Sequence, residues 1–295
     1  MPRRLFRSPW ALLVAPLLAG ALAGCGSDDE PASAAAESTT TSTAPERSAT
    51  STTAPRTDGD SDLPEGAEDL AGRWAHFDVV AYEDDVMRTL IISTGFADLE
   101  LRDGELWNVQ RFCHADTVSD QDIEVSISDA ATSAIVPVDT PVEVTEENGR
   151  LRVVRPATPT GIGIELEDPA NDPLPTDPND PRIVDDDGDG NPGVTSRIVL
   201  TEEIQGELYL ARREIFAYDV TEESPDRLVG SITDNSEQLI LGASNDIFLT
   251  PAQWEQIDDP ERNPVIWQRV DEDWDCERLA AERDELFPPN PEPDW

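Results

Sequence analysis

The densest chemistry in this 295-residue chain is the run Asp185-Asp186-Asp187-Gly188-Asp189-Gly190. Carboxylates at alternate positions let a wrapping backbone turn Asp185, Asp187 and Asp189 toward one point, and glycine permits the sharp bend. Anionic oxygens that converge in this way suit a hard divalent cation, with calcium the expected one. Asn191 follows at the next alternate position and completes the expected ligand set, with Asp177 or Asp180 as further donors. The plainer alternative is a solvated acidic turn, closed by Asn191-Pro192-Gly193 as a type II bend.

This run resembles the first half of an EF-hand loop and the acidic calcium repeats of thrombospondin type 3 segments. The resemblance implies calcium coordination by the alternating carboxylates. The twelfth position is Ser196 rather than a bidentate glutamate, and the eighth is Pro192, where EF-hands pair backbones. Pro181 and Ile183-Val184 precede the run, so no entering helix is expected. A calcium loop of another type is the reading that remains.

Other reactive groups are few. The only histidines are His76 and His114. No Gly-x-Ser-x-Gly elbow, His-Glu-x-x-His pair, phosphate-binding glycine loop or Cys-x-x-Cys occurs, and no catalytic residue is assigned. Hydrolysis by two carboxylates stays open, but with 63 acidic residues a candidate pair carries no weight. A Cys113-His114 nucleophile is disfavoured because neighbours on a strand point to opposite faces. Cys113 and Cys276 are instead expected to pair, provided the chain is exported to oxidising surroundings. The alternative is two separate buried thiols.

Export is indicated by the N-terminus. Arg3, Arg4 and Arg7 precede an apolar run from Trp10 to Ala23 that is too short for a spanning helix. It ends in Leu22-Ala23-Gly24-Cys25, which resembles the lipobox of bacterial lipoproteins. The resemblance implies cleavage before Cys25, lipidation of that cysteine, and an extracytoplasmic chain held on the cell membrane by acyl chains. Residues 1–24 would then be signal and 25–66 a tether of Ser, Thr, Ala, Pro and acid with almost nothing to bury. A coil of that length spans on the order of 35 Å. Sixty-three acids against 21 arginines and no lysine give a formal charge of −42, which excludes a nucleic-acid binder that works by neutralising phosphates. The same charge should hold the body off an anionic bilayer.

The elements that must position these groups are mostly strands. Period-two runs occupy 78–82, 88–93, 105–109, 123–127, 142–144 and 151–154, then 197–201, 207–212, 214–220, 227–233, 238–242 and 265–269. Arg102-Asp103-Gly104 and Glu147-Asn148-Gly149 read as hairpin turns. The pattern predicts a single mainly β domain over 67–287, an antiparallel meander barrel or sandwich. An acidic Pro/Asp insertion interrupts it at 165–193, and residues 288–295 form a loose tail. Two helices are expected, one opening at Thr250-Pro251 and a short C-terminal one capped by Asp275.

Leu70-Ala71-Gly72-Arg73-Trp74 is similar to the Gly-x-Trp opening of lipocalins and related calycin barrels. That resemblance implies a barrel whose tryptophan closes the bottom, an apolar ligand cavity, and a C-terminal helix outside. Three functions compete. The first is a non-enzymatic ligand- or partner-binding module; the second, an exported hydrolase with an unidentified carboxylate pair; the third, a structural envelope spacer. An apolar cavity in a closed barrel favours the first, converging carboxylates of raised pKa the second, and a filled barrel the third.

Overall fold

The inward and outward residues of the first strand set the architecture. In the computed structural model, which describes residues 63–84, 87–121, 123–249 and 255–294, β1 (Trp74–Glu83) is buried on both faces. Trp74, His76, Asp78, Val80 and Tyr82 alternate with Ala75, Phe77, Val79 and Ala81, so one set enters an interior and the other meets a second layer. Cys25, residues 26–62 of the tether, the Thr250-Pro251 helix start and Trp295 lie outside the described residues.

β2 (Arg88–Arg102) and β3 (Glu105–Ser119) continue the meander from β1. Their connection is the expected hairpin, with Asp103 and Gly104 both at positive φ, 51° and 85°. β4 (Glu124–Ile127) pairs with β3, and helix α1 (Asp129–Ser133) follows, its Ser128 cap accepting from the Ala131 N–H. β5 (Thr140–Pro141) pairs with β3, and β6 (Glu143–Glu147) pairs with β7 (Arg150–Ile162) across the Asn148-Gly149 turn. β8 (Val194–Val199) and β7 pair with successive parts of one edge of β9 (Gln205–Ser224).

β10 (Arg227–Asp234) and β11 (Glu237–Ala243) then pair with the other edge of β9. β12 (Glu255–Gln256) adds briefly to β1. β13 (Pro264–Arg269) joins β10 to β1. Because β10 also pairs β9, the sheet path returns on itself and closes an antiparallel barrel. Helix α2 (Cys276–Leu286) is the expected C-terminal helix, with Asp275 accepting from the Arg278 N–H at 2.9 Å.

The barrel interior is one apolar cluster that includes Trp74, Leu99, Leu106, Val153, Leu228 and Trp267. Outside, Phe77, Ile92, Phe96 and Ile266 are covered by Trp274, Leu279 and Phe287 of the α2 segment. The Cys113–Cys276 disulfide pins this layer, with Cα atoms 5.4 Å apart. A β-bulge places Cys113 as the extra residue between Phe112 and His114. With its sulfur in the disulfide, Cys113 is no nucleophile.

The 165–193 insertion is a packed excursion rather than a structureless loop. β7 and β8 are two parts of one stave, and the chain leaves and returns through a neck where Gly163 and Gly193 abut. Gly163 has φ 69°, and a Cβ there would sit 2.7 Å from both Gly193 Cα and Leu210 O. Leu166, Leu174 and Ile183 pack on a small cluster of Ile164, Ala211 and Leu241. Those three scattered aliphatics are what the acid- and proline-rich composition hid. No helix among the described residues is long and apolar enough to cross a membrane.

Candidate functional site

Strand register sorts the barrel interior into three layers. The β1–β13 pairing puts Trp74 beside Arg269 at one end and, through β12, Tyr82 beside Gln256 at the other. The Trp74 end is filled. Trp74 donates from Nε1 to Leu70 O at 2.9 Å, and the Arg269 guanidinium lies 4.2 Å from its ring centroid.

The middle layer is polar and fully enclosed. His76 Nδ1 lies 2.9 Å from Asp78 Oδ2, and the Tyr218 hydroxyl donates to the same oxygen at 3.3 Å. Gln110 donates from Nε2 to Tyr218 Oη at 3.0 Å. Gly95 leaves room for the His76 ring, since a Cβ there would meet His76 Nε2 at 2.6 Å. Arg155 donates from Nε to Asn108 Oδ1 at 2.9 Å and from Nη1 to Phe216 O at 2.8 Å, with its guanidinium over the Phe216 ring. Burial lowers the pKa of Arg155 and raises that of Tyr218 well above its ordinary value, the latter helped by the Asp78 charge.

Above this layer is a cavity of about 80 Å³. Its walls are mainly apolar, with Val80, Phe112, Ile162, Val194, Leu210 and Phe216 among them. Ala131 and Thr132 of α1 close one side, which is why a five-residue helix sits between β4 and β5. The cavity's charged border is Asp78, Arg212, Glu214 and Asp234. Arg212 Nε pairs with Glu214 Oε1 at 2.8 Å. Ser236 Oγ contacts Glu214 Oε2 at 2.9 Å and also Asp234 Oδ1, while the Tyr82 hydroxyl donates to Asp234 Oδ2. Burial raises Glu214, with the nearby Asp234 charge adding and Arg212 opposing. Burial raises Tyr82 too, and Asp234 adds to it.

The acidic run lies on the far side of the Thr195 backbone. Asp185, Asp187 and Asp189 each offer a carboxylate oxygen, all within 4.8 Å of one another. The loop wraps Asp185, whose Oδ1 accepts from Gly188 N at 2.7 Å and whose Oδ2 accepts from Gly190 N at 2.9 Å. Asp187 Oδ2 accepts from Thr195 N at 2.9 Å, and its Oδ1 is buried without a partner. Burial raises Asp187, and the Asp189 and Asp185 charges add to that, whereas hydrogen bonding from Thr195 and Asn191 lowers Asp189. Asn191 is drawn to Asp189 rather than to the centre of the cluster, donating from its side-chain amide to Oδ2 at 3.0 Å. Asp180 is engaged by Arg182 at 2.9 Å, and Asp177 by Asn179 at 2.9 Å.

The border of the cavity was not legible as a site. His76, Asp78, Arg212 and Glu214 sit at inward positions of strands whose alternation is plain, but polar residues on a strand ordinarily face water. The signal that was there is a phase one: at 74–82 His76 and Asp78 share parity with Trp74, Val80 and Tyr82. No family model, no curated protein and no solved structure matches this chain.

Proposed function

We propose that this chain is a lipid-anchored, extracytoplasmic module that binds a small ligand in the interior of its barrel. The observation that carries the reading is the apolar-walled cavity with Asp78, Arg212, Glu214 and Asp234 among its lining. A dry cavity of roughly 150 Å³ admits benzene or xenon, so this one suits a ligand of only a few heavy atoms. A calycin-like barrel is supported by the closed antiparallel ring, by Trp74 filling one end, and by α2 packed outside. The lipobox at Leu22-Ala23-Gly24-Cys25 supports anchoring, and Cys25→Ser should release the chain from membranes; continued retention contradicts the anchor.

Butan-1-ol should raise the melting temperature of the mature chain, and Ala131→Leu, which fills the cavity from α1, should abolish that rise. A rise that survives the substitution places the binding elsewhere and defeats the reading. Calcium is proposed for Asp185, Asp187 and Asp189 on the strength of their convergence and of the unpartnered Asp187 Oδ1. Asn191 completes that proposed set through its own oxygen. Calcium should raise the melting temperature, and Asp187→Ala with Asp189→Ala should remove the effect; a parent chain indifferent to calcium has no such site.

A hydrolase has one observation in its favour, the shared contact of Glu214 and Asp234 with Ser236 beside a cavity. Both carboxylates are, however, held by Arg212, Tyr82 and Ser236, which suits recognition better than turnover.

A further inference from the structure

We infer that the ligand is a small organic ammonium: a short aliphatic body in the apolar part of the cavity, its protonated nitrogen at the Glu214–Asp234 border. This rests on the ligand-binding reading and specifies the class of ligand.

The first argument is charge. Three carboxylates border the cavity, Asp78, Glu214 and Asp234, against one cation, Arg212. Arg212 is committed to Glu214 at 2.8 Å. Asp234 accepts hydrogen bonds from the Tyr82 hydroxyl, the Ser236 hydroxyl and the Ser236 N–H, the last at 2.7 Å, and shares the field of Arg212 with Glu214. Arg155, the nearest further arginine in the interior, is turned to Asn108 and the Phe216 carbonyl. Excess negative charge beside apolar walls is costly, because the local dielectric screens it less well than bulk water. A cation entering the cavity repays that cost; an anion multiplies it. Burial raises Glu214, and the Asp234 charge adds to that against Arg212.

The second argument is independent of charge. Thr132 is 2% exposed and lines the cavity, and its Oγ1 has no hydrogen-bond partner. A buried hydroxyl left unpartnered is costly, and its oxygen can accept from an ammonium N–H. Phe112 and Phe216, edge to face at 5.5 Å, complete a wall whose ring faces attract cations.

The test is a calorimetric titration of the full mature chain with three probes of one size: butan-1-amine, butan-1-ol and butanoate. The amine should bind at least about tenfold more tightly than the alcohol, and butanoate should not bind. Asp234→Asn should erase the preference for the amine while alcohol binding persists. A pH series on the unaltered chain guards against a variant that fails to fold. Burial raises the Glu214 pKa, and protonating Glu214 removes the charge the ammonium needs, so amine affinity should fall as pH is lowered while alcohol affinity stays level. If the alcohol binds as tightly as the amine, or the amine's affinity ignores pH, the ammonium inference is overturned and the cavity reading stands. If none of the three binds, both are overturned.

Discussion

At the Trp74 end of the barrel the inward side chains are Trp74, Leu99, Leu106, Leu228 and Trp267, each less than 2% exposed. At the Tyr82 end Arg212 and Glu214 of β9, Asp234 of β10 and Tyr82 of β1 line a hollow. Strand geometry is shared, so the difference lies in the side chains alone. A barrel that needed only stability would fill both ends alike, since replacing a buried ion pair with well-packed apolar groups is often neutral or stabilising. The filled end is therefore read as the keel of the fold and the charged end as its working part.

Substitution at each end breaks or sharpens that contrast. Trp74→Ala should cost about 3–5 kcal/mol in urea denaturation, because a packed site collapses poorly around a lost indole. Ile162→Val, on the cavity wall, should cost only about 0.5–1.5 kcal/mol. Equal losses at matched substitutions would erase the distinction. Between these lies the outer layer. Replacing Cys113 and Cys276 by Ser opens a loop of 163 residues and should cost about 2–4 kcal/mol, read as a lower urea midpoint, without altering ligand binding in the interior.

The smallest effect is a pH response on the barrel's outer face. His114 Nδ1 lies 2.6 Å from Asp129 Oδ1 on α1, and its Nε2 lies 3.0 Å from Asp116 Oδ1. Asn290 of the C-terminal segment also reaches Asp116, at 3.1 Å. Partial burial works against protonation, but the hydrogen bonds to Asp129 and Asp116 prevail and raise the His114 pKa. A raised folded-state pKa means that this contribution is fully present below the unfolded value of about 6.5 and is lost as pH rises through the folded one. Imidazole proton shifts should titrate above about 6.5 in the parent and lower in Asp129→Asn; an unshifted Asp129→Asn titration would show that the contact does nothing.

Most of the framework was legible in the sequence. Asp103-Gly104 and Asn148-Gly149 form the turns their residue types demand, and Asp275 caps α2 as its position before Cys276 suggested. What was hidden had a physical reason in each case. Arg212-Arg213-Glu214 reads as a break between two strands, yet β9 runs unbroken from Gln205 to Ser224, because Arg212 and Glu214 pair with each other inside. α1 is too short to show a helical period, and only its Ser128 cap could have announced it. Within the acid- and proline-rich insertion, average composition obscures Leu166, Leu174 and Ile183, which pack on Ile164, Ala211 and Leu241. Alternation reveals that a strand has two faces; which face holds a charge depends on what the closed ring places opposite it.

The contrast between the ends is tested most directly by methyl NMR of the mature chain under xenon. Xenon should shift the methyls of Ile127, Ile162, Val194 and Leu210 around the cavity and leave Leu99, Leu106 and Leu228 unmoved. Shifts of equal size at both ends, or none at the cavity methyls, would contradict a binding cavity at the charged end of the barrel.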